Sequence, residues 1–175
     1  MSIIRKGIGY VPPKPKCLDM ELAVCELFCH RRNLIIPNMY WSMFDYEIDL
    51  LVVTKQGLAW EVEIKVSKQD LLKDKEKHHT HNSSKIARLY FAIPTELLKF
   101  TEHIPENAGI VEVFHYDYGY KKDFKARLHR EAKIKSEHRF TEQDRNEMYR
   151  LGAMRLWTVK RQLRRLGLKS LTTPK

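Results

Sequence analysis

Cysteine is scarce in this chain. Three thiols, an odd number with no CxxC spacing, occur in 175 residues. That excludes a dense disulfide framework and a zinc ribbon, and fits reduced thiols in a cytoplasm. Cys25 and Cys29 stand four apart, a spacing that suits packing on one helix face more than a metal site. Long apolar runs are missing too, so no window reaches the roughly 18 residues a membrane span requires. Arg5 and Lys6 are not followed by an apolar stretch, so no signal peptide is expected. Internal repeats and low-complexity blocks are absent as well. The expectation is a cytoplasmic protein with no membrane partner.

What remains is a chain with 43% hydrophobic and 31% charged residues, enough for one domain with a proper core. Acids are scarce in one region only. Residues 1–120 hold 15 Lys/Arg and 16 Asp/Glu, whereas residues 121–170 hold 16 Lys/Arg and 6 Asp/Glu. A near-neutral body joined to a basic C-terminal third suggests a polyanion partner, nucleic acid foremost.

Pro12, Pro13 and Pro15 mark an irregular lead-in. Asp19 is placed to cap a helix over 20–32, with Met20, Ala23, Val24, Leu27 and Phe28 as its apolar face. Leu34-Ile35-Ile36 begins a strand that Pro37 should end or confine to an edge. A polar helix over 68–79, a buried strand at 89–93, a short helix at 95–100 and a strand at 109–116 follow. Thr141-Glu-Gln-Asp144 opens a longer helix in capping-box fashion, and Met148, Leu151, Val159, Leu163 and Leu166 form its stripe. The basic segment 121–140 carries no assignable pattern. The expected division is a core over 1–120 and a basic, largely helical extension over 121–175.

The most informative stretch is a hairpin. Two β-rich runs, 46–54 and 58–66, flank Lys55-Gln56-Gly57, a loop suited to a tight antiparallel connection. With the turn centred on Gln56, opposed residues have numbers summing to 112, and Asp49 faces Glu63. Alternation puts Glu61, Glu63 and Lys65 on one face, with Trp60, Val62, Ile64 and Val66 on the other. Facing carboxylates repel unless a positive charge lies between them, and a divalent cation is the natural candidate. Substituting either acid is expected to leave the fold intact or slightly more stable. Glu61, and Glu47 facing Lys65 across the ladder, are auxiliary ligands or salt-bridge partners of the lysine. Lys77, His78, His79 and His81 form a basic rim near this face or an exposed helix end.

The order helix, strand, strand, strand, helix, strand, with acids on the second and third strands, resembles the core of the PD-(D/E)XK nuclease superfamily. Ile48 stands where many members carry proline. The run Glu-Ile-Lys-Val-Ser-Lys-Gln-Asp-Leu-Leu at 63–72, with Leu-Tyr-Phe-Ala-Ile-Pro at 89–94 and Ile-Pro-Glu-Asn-Ala-Gly-Ile at 104–110, is similar to the MmcB-like DNA repair branch and related phage-type nucleases. The likeness spans residues 19–116. It implies a restriction-endonuclease-like α/β (α+β) fold, a mixed sheet flanked by helices. It implies that Asp49 and Glu63, with the Ile64 carbonyl, bind Mg²⁺ or Mn²⁺, and that Lys65 orients the attacking water and steadies charge on the phosphate. It implies a first-helix glutamate, Glu21 in preference to Glu26.

The expected activity is therefore metal-dependent hydrolysis of DNA phosphodiesters in repair, recombination or phage DNA processing. Lys68, Lys75, Lys77, His78, Arg161, Arg164 and Arg165 are the expected phosphate contacts. The alternatives are a non-catalytic nucleic-acid-binding module on the same scaffold, and an RNA-directed nuclease. A homodimer is one arrangement by which such an enzyme cuts two strands.

Overall fold

The computed structural model describes residues 13–41, 44–73, 81, 83–119 and 122–167. Its centre is a six-stranded sheet in the sequential order β1 (Leu34–Trp41), β2 (Phe44–Val53), β3 (Ala59–Ile64), β4 (Ile86–Pro94), β5 (Gly109–Asp117) and β6 (Lys122–Arg130). The β3–β4 and β4–β5 pairs are parallel and the others antiparallel. The fold is thus mixed α+β, with helices on both faces. Parallel neighbours need a crossover. The first runs through α2 (Lys68–Lys73), and the second through a 3-10 turn at Thr95–His103.

α1 (Cys17–Leu27) covers one face, burying Met20, Ala23 and Val24 against Leu50, Val52, Val62, Ile64, Tyr90 and Val111. It starts before the expected Asp19. That carboxylate instead accepts the Lys16 backbone N–H at 2.8 Å, acting from inside the first turn. The opposite face carries two separate apolar clusters. One gathers Ile36, Leu51, Phe140, Met148 and Leu151 under α3 (Glu142–Arg165), and the other gathers Leu71, Phe91, Ile93, Leu97 and Ile110.

The hairpin register is the expected one: Leu50↔Val62, Leu51↔Glu61, Val52↔Trp60 and Val53↔Ala59 all sum to 112. Gly57 closes the turn at φ +82°, where a Cβ would stand 2.8 Å from the Phe140 carbonyl oxygen. β1 runs straight through Pro37 and does so as an edge strand, where the missing N–H costs no ladder bond. Asn38 beside it has φ +50°.

Two expectations for the C-terminal third need correction. Residues 122–130 are not part of a helical extension. They form β6, paired with β5 from Asp117↔Lys122 to Ile110↔Arg130. Phe124 and Ala126 pack inward between basic neighbours, a period-2 pattern typical of a charged sheet edge. The helix after it begins at the expected Thr141 cap, where the Asp144 N–H donates to Thr141 Oγ1 at 3.2 Å. Of its expected stripe only Met148 and Leu151 are buried, while Val159 and Leu166 are exposed. Arg155, in the middle of that stripe, turns to the Asn38 carbonyl.

Candidate active site

β3 brings Glu61, Glu63 and Lys65 to one face, as alternation requires, but that face is not open. Glu61 is 0% exposed, Glu63 2% and Lys65 3%. They lie between the two apolar clusters, with Phe91 across the parallel ladder from Glu63. Buried charges are tolerated only when paired. The Lys65 ammonium donates to Glu63 Oε2 at 2.8 Å, and the Lys65 N–H donates to the Ala92 carbonyl at 3.0 Å, fixing the stem. Glu61 accepts from the Tyr46 hydroxyl at 2.8 Å and lies 2.5 Å from His81 Nδ1. Burial, then the charges of Glu61 and Glu63, push the Tyr46 phenol far up, so it stays a donor.

Asp49 stands where β2 changes sides. Phe44, Tyr46 and Ile48 face the α3 cluster, Leu50 and Val52 face α1, and Leu51 and Val53 face the α3 cluster again. At this changeover its Oδ2 accepts the Ile64 N–H at 2.8 Å, which holds the carboxylate at the end of β3 next to Glu63. Burial first, and then the Asp49 charge, raise the Glu63 carboxyl above its ordinary 4.5, against the lowering pull of Lys65 and His81. Glu112 on β5 makes the contrast plain. Its own surface is as well covered, but it lies nearer the solvent, against an exposed Arg127, and hydrogen bonds from Arg127 and Thr95 overcome the burial cost and hold it below 4.5. Glu112 is a satisfied structural acid. Glu63 has its lysine and still meets a second carboxylate, the situation that a hard divalent cation relieves.

α1 lends a fourth acid to the neighbourhood. The Cys17 thiol donates to Glu21 Oε1 at 3.5 Å. Burial and then the Glu21 carboxylate push that thiol up to about 11, and Asp49 and Asp70 add to the shift. Glu21 thus shares the Asp49 side of the site. Glu26 points elsewhere and pairs with Lys125 of β6.

Other expected residues separate from this group. Glu47 is exposed and does not face Lys65, because the change of side at Asp49 turns it away and the β2–β3 pairing stops at Leu50↔Val62. Tyr46 turns to this face instead and bonds Glu61. His81 is neither rim nor exposed helix end. It is 7% exposed, packed edge-on to Tyr46 and Phe91, and forms with Glu61 and Glu63 a compact group of metal-binding side chains. The sequence placed it near this face, but nothing local showed that it would be buried and reach Glu61 from twenty residues away. Asp70 was missed, and it accepts the Val66 N–H at 3.3 Å beside the site. Lys68 is exposed, with its ammonium 4.4 Å from the Phe100 ring centroid. Arg161, Arg164 and Arg165 are exposed on the distal half of α3. Lys75, Lys77, His78 and His79 lie outside the described residues. Among the described residues no helix is long and apolar enough to cross a membrane.

No curated protein matches this chain. A solved structure, the SPO1766 protein of unknown function from Silicibacter pomeroyi, is similar in fold: TM-score 0.58 at 15% identity, over 93% of this chain and 99% of that one. The family model described as "DNA repair protein MmcB-like" matches residues 16–162, which takes in α1, the whole sheet, the acid site and most of α3. The chain belongs to the MmcB-like DNA repair protein family.

Proposed function

We propose that the protein is a metal-dependent DNA endonuclease of the PD-(D/E)XK kind. The observation that carries this is geometric: Glu63 is buried with the Lys65 ammonium 2.8 Å away, and the Asp49 carboxylate is held on the adjacent Ile64 N–H. Asp49 and Glu63, with the Ile64 carbonyl, are the oxygen donors that would hold Mg²⁺ or Mn²⁺, ions that need few protein ligands and keep several waters. When bound, such an ion lowers the pKa of its water and offsets charge on the phosphoryl oxygens.

The chain's own residues supply the rest. The Ile64 N–H fixes the Asp49 carboxylate. The buried Lys65 presents a compact positive charge in a low-dielectric setting, where it acts strongly on an anionic phosphate. Glu21 adds a carboxylate on the α1 side. The basic residues of α3 hold DNA phosphates against the negative site.

One observation favours the alternative of a non-catalytic DNA-binding module. Glu63 and Lys65 are almost wholly buried and bonded to each other. The test is an assay of purified protein on single-stranded, duplex, flapped and branched DNA and on matched RNA, with and without Mg²⁺ or Mn²⁺. Metal-dependent cleavage of DNA is expected. DNA binding without cleavage on any substrate favours the module, and cleavage confined to RNA reassigns the substrate.

A further inference from the structure

Half of α3 leaves the body. After Leu151 none of its side chains is buried, and Leu156, Trp157 and Val159 are exposed at 55%, 59% and 48%. Residues 150–165 contain six Lys/Arg and no Asp/Glu; Arg150 pairs with Glu147 one turn back, and the five cations beyond it have no acid within a helical turn on either side. Met154, Arg155 and Thr158 still line a pocket with Ile36, Met39 and Tyr40 of β1, but among the described residues no element covers the opposite side.

The two components lie together. At 100° per residue, Arg150, Trp157, Lys160, Arg161 and Arg164 share an arc of about 100°, opposite Met148, Leu151 and Arg155, which face the body. The Lys160 ammonium sits 5.2 Å from the Trp157 ring centroid, which sets a cation against the exposed indole. The helix is tied at two points. Arg145 donates to the Lys55 carbonyl at the hairpin turn, and Arg155 to the Asn38 carbonyl. Asn38 lies between the pairs Pro37↔Leu50 and Met39↔Ile48, level with Asp49. The ten residues beyond Arg155 therefore run on about 15 Å past the level of Asp49.

Crowded cations call for a polyanion, and an exposed indole among them calls for a flat apolar surface within that polyanion. Duplex DNA keeps its base faces stacked inside, whereas unpaired bases offer them. We propose that the distal half of α3 binds single-stranded DNA, Arg161 and Arg164 contacting phosphates while Trp157 stacks on an unpaired base. The inference rests on the reading of the protein as one that acts on DNA, and it narrows the substrate to DNA with a single-stranded portion near the acid site.

The test is fluorescence anisotropy of the full chain with a labelled oligo-dT and with a blunt duplex of equal phosphate count, in EDTA. Tighter binding of oligo-dT is expected. Trp157→Ala should weaken it about tenfold or more with its salt dependence unchanged, and Trp157→Phe should retain most of it. Arg161→Gln with Arg164→Gln should flatten the log–log salt slope by about 0.7 for each phosphate no longer neutralised. Equal binding of both ligands, or no effect of Trp157→Ala on oligo-dT, overturns the proposal. So does a Trp157→Ala variant that keeps its DNA affinity but loses self-association in sedimentation, which would make the face an interface between copies. Because divalent metal is absent throughout, these outcomes are independent of whether the acid site cleaves.

Discussion

Two buried glutamates in one sheet shift in opposite directions, Glu112 down and Glu63 up, and the difference has a thermodynamic consequence. An acid whose carboxyl is raised by folding keeps its proton in the fold after the unfolded chain has lost it. Stability from Glu63 therefore falls as pH rises above the ordinary 4.5 towards the folded value, and a cation at the site should restore it. Thermal melts with and without Mg²⁺ should show a larger cation-induced rise in Tm at about pH 8 than at about pH 5, and that difference should vanish in Asp49→Asn. Burial also revises what substituting the acids does to the fold. Glu63→Gln leaves the Lys65 ammonium, 3% exposed, without its carboxylate, and should cost on the order of 3–5 kcal/mol in denaturant unfolding. Asp49→Asn keeps a carbonyl oxygen for the Ile64 N–H and should leave stability near wild type. Lys65→Ala should slow single-turnover cutting by about a hundredfold or more, because it removes one positive charge that steadies the transition state, with DNA affinity in EDTA little changed.

At the scale of elements, the hairpin was the most legible part of the chain. Its loop length and Gly57 set the register up to Leu50↔Val62, and Asp49, the next residue, comes beside Glu63 through its bond from the Ile64 N–H. Gly57→Ala should destabilise the fold by about 1–2 kcal/mol, measured by denaturant unfolding, because φ +82° and the Phe140 carbonyl oxygen at 2.8 Å both resist a Cβ. The side change at Asp49 was not legible. It is a coupled distortion of β1 and β2, and only the tertiary clusters reveal that Tyr46 and not Glu47 reaches Glu61. β6 was missed because its alternating apolar residues are outnumbered by charge, as suits an edge strand. Its presence changes the logic of truncation. Cutting after Tyr120 removes β6 together with buried Ala132, Phe140, Met148 and Leu151, and should unfold the chain, seen as loss of cooperative melting. Charge reversal of Arg161, Arg164 and Arg165 leaves the core untouched. It should flatten the salt dependence of duplex binding by about 0.9 for each phosphate that is no longer neutralised.

For the whole molecule, the acid-bearing end of the sheet and the distal half of α3 divide the work by charge. On the proposed reading the acids would repel DNA and the cations would hold it close. That asymmetry was readable from composition alone, because 121–170 holds the excess of positive charge. The inward path of Lys135 onto the His81 carbonyl, and the burial of His81 against Glu61, depend on contacts between segments 20 to 54 residues apart, which no local pattern encodes. The central claim is that Asp49 and Glu63 form one cation-dependent cleaving site. It is tested most directly by comparing wild type with Asp49→Asn in Mg²⁺-dependent nicking of a DNA substrate that the wild type cuts, at equal fold stability. Cleavage that is lost with EDTA in the wild type and absent at every Mg²⁺ concentration in the variant is the expected result. Full cleavage by Asp49→Asn at matched Mg²⁺ would contradict it.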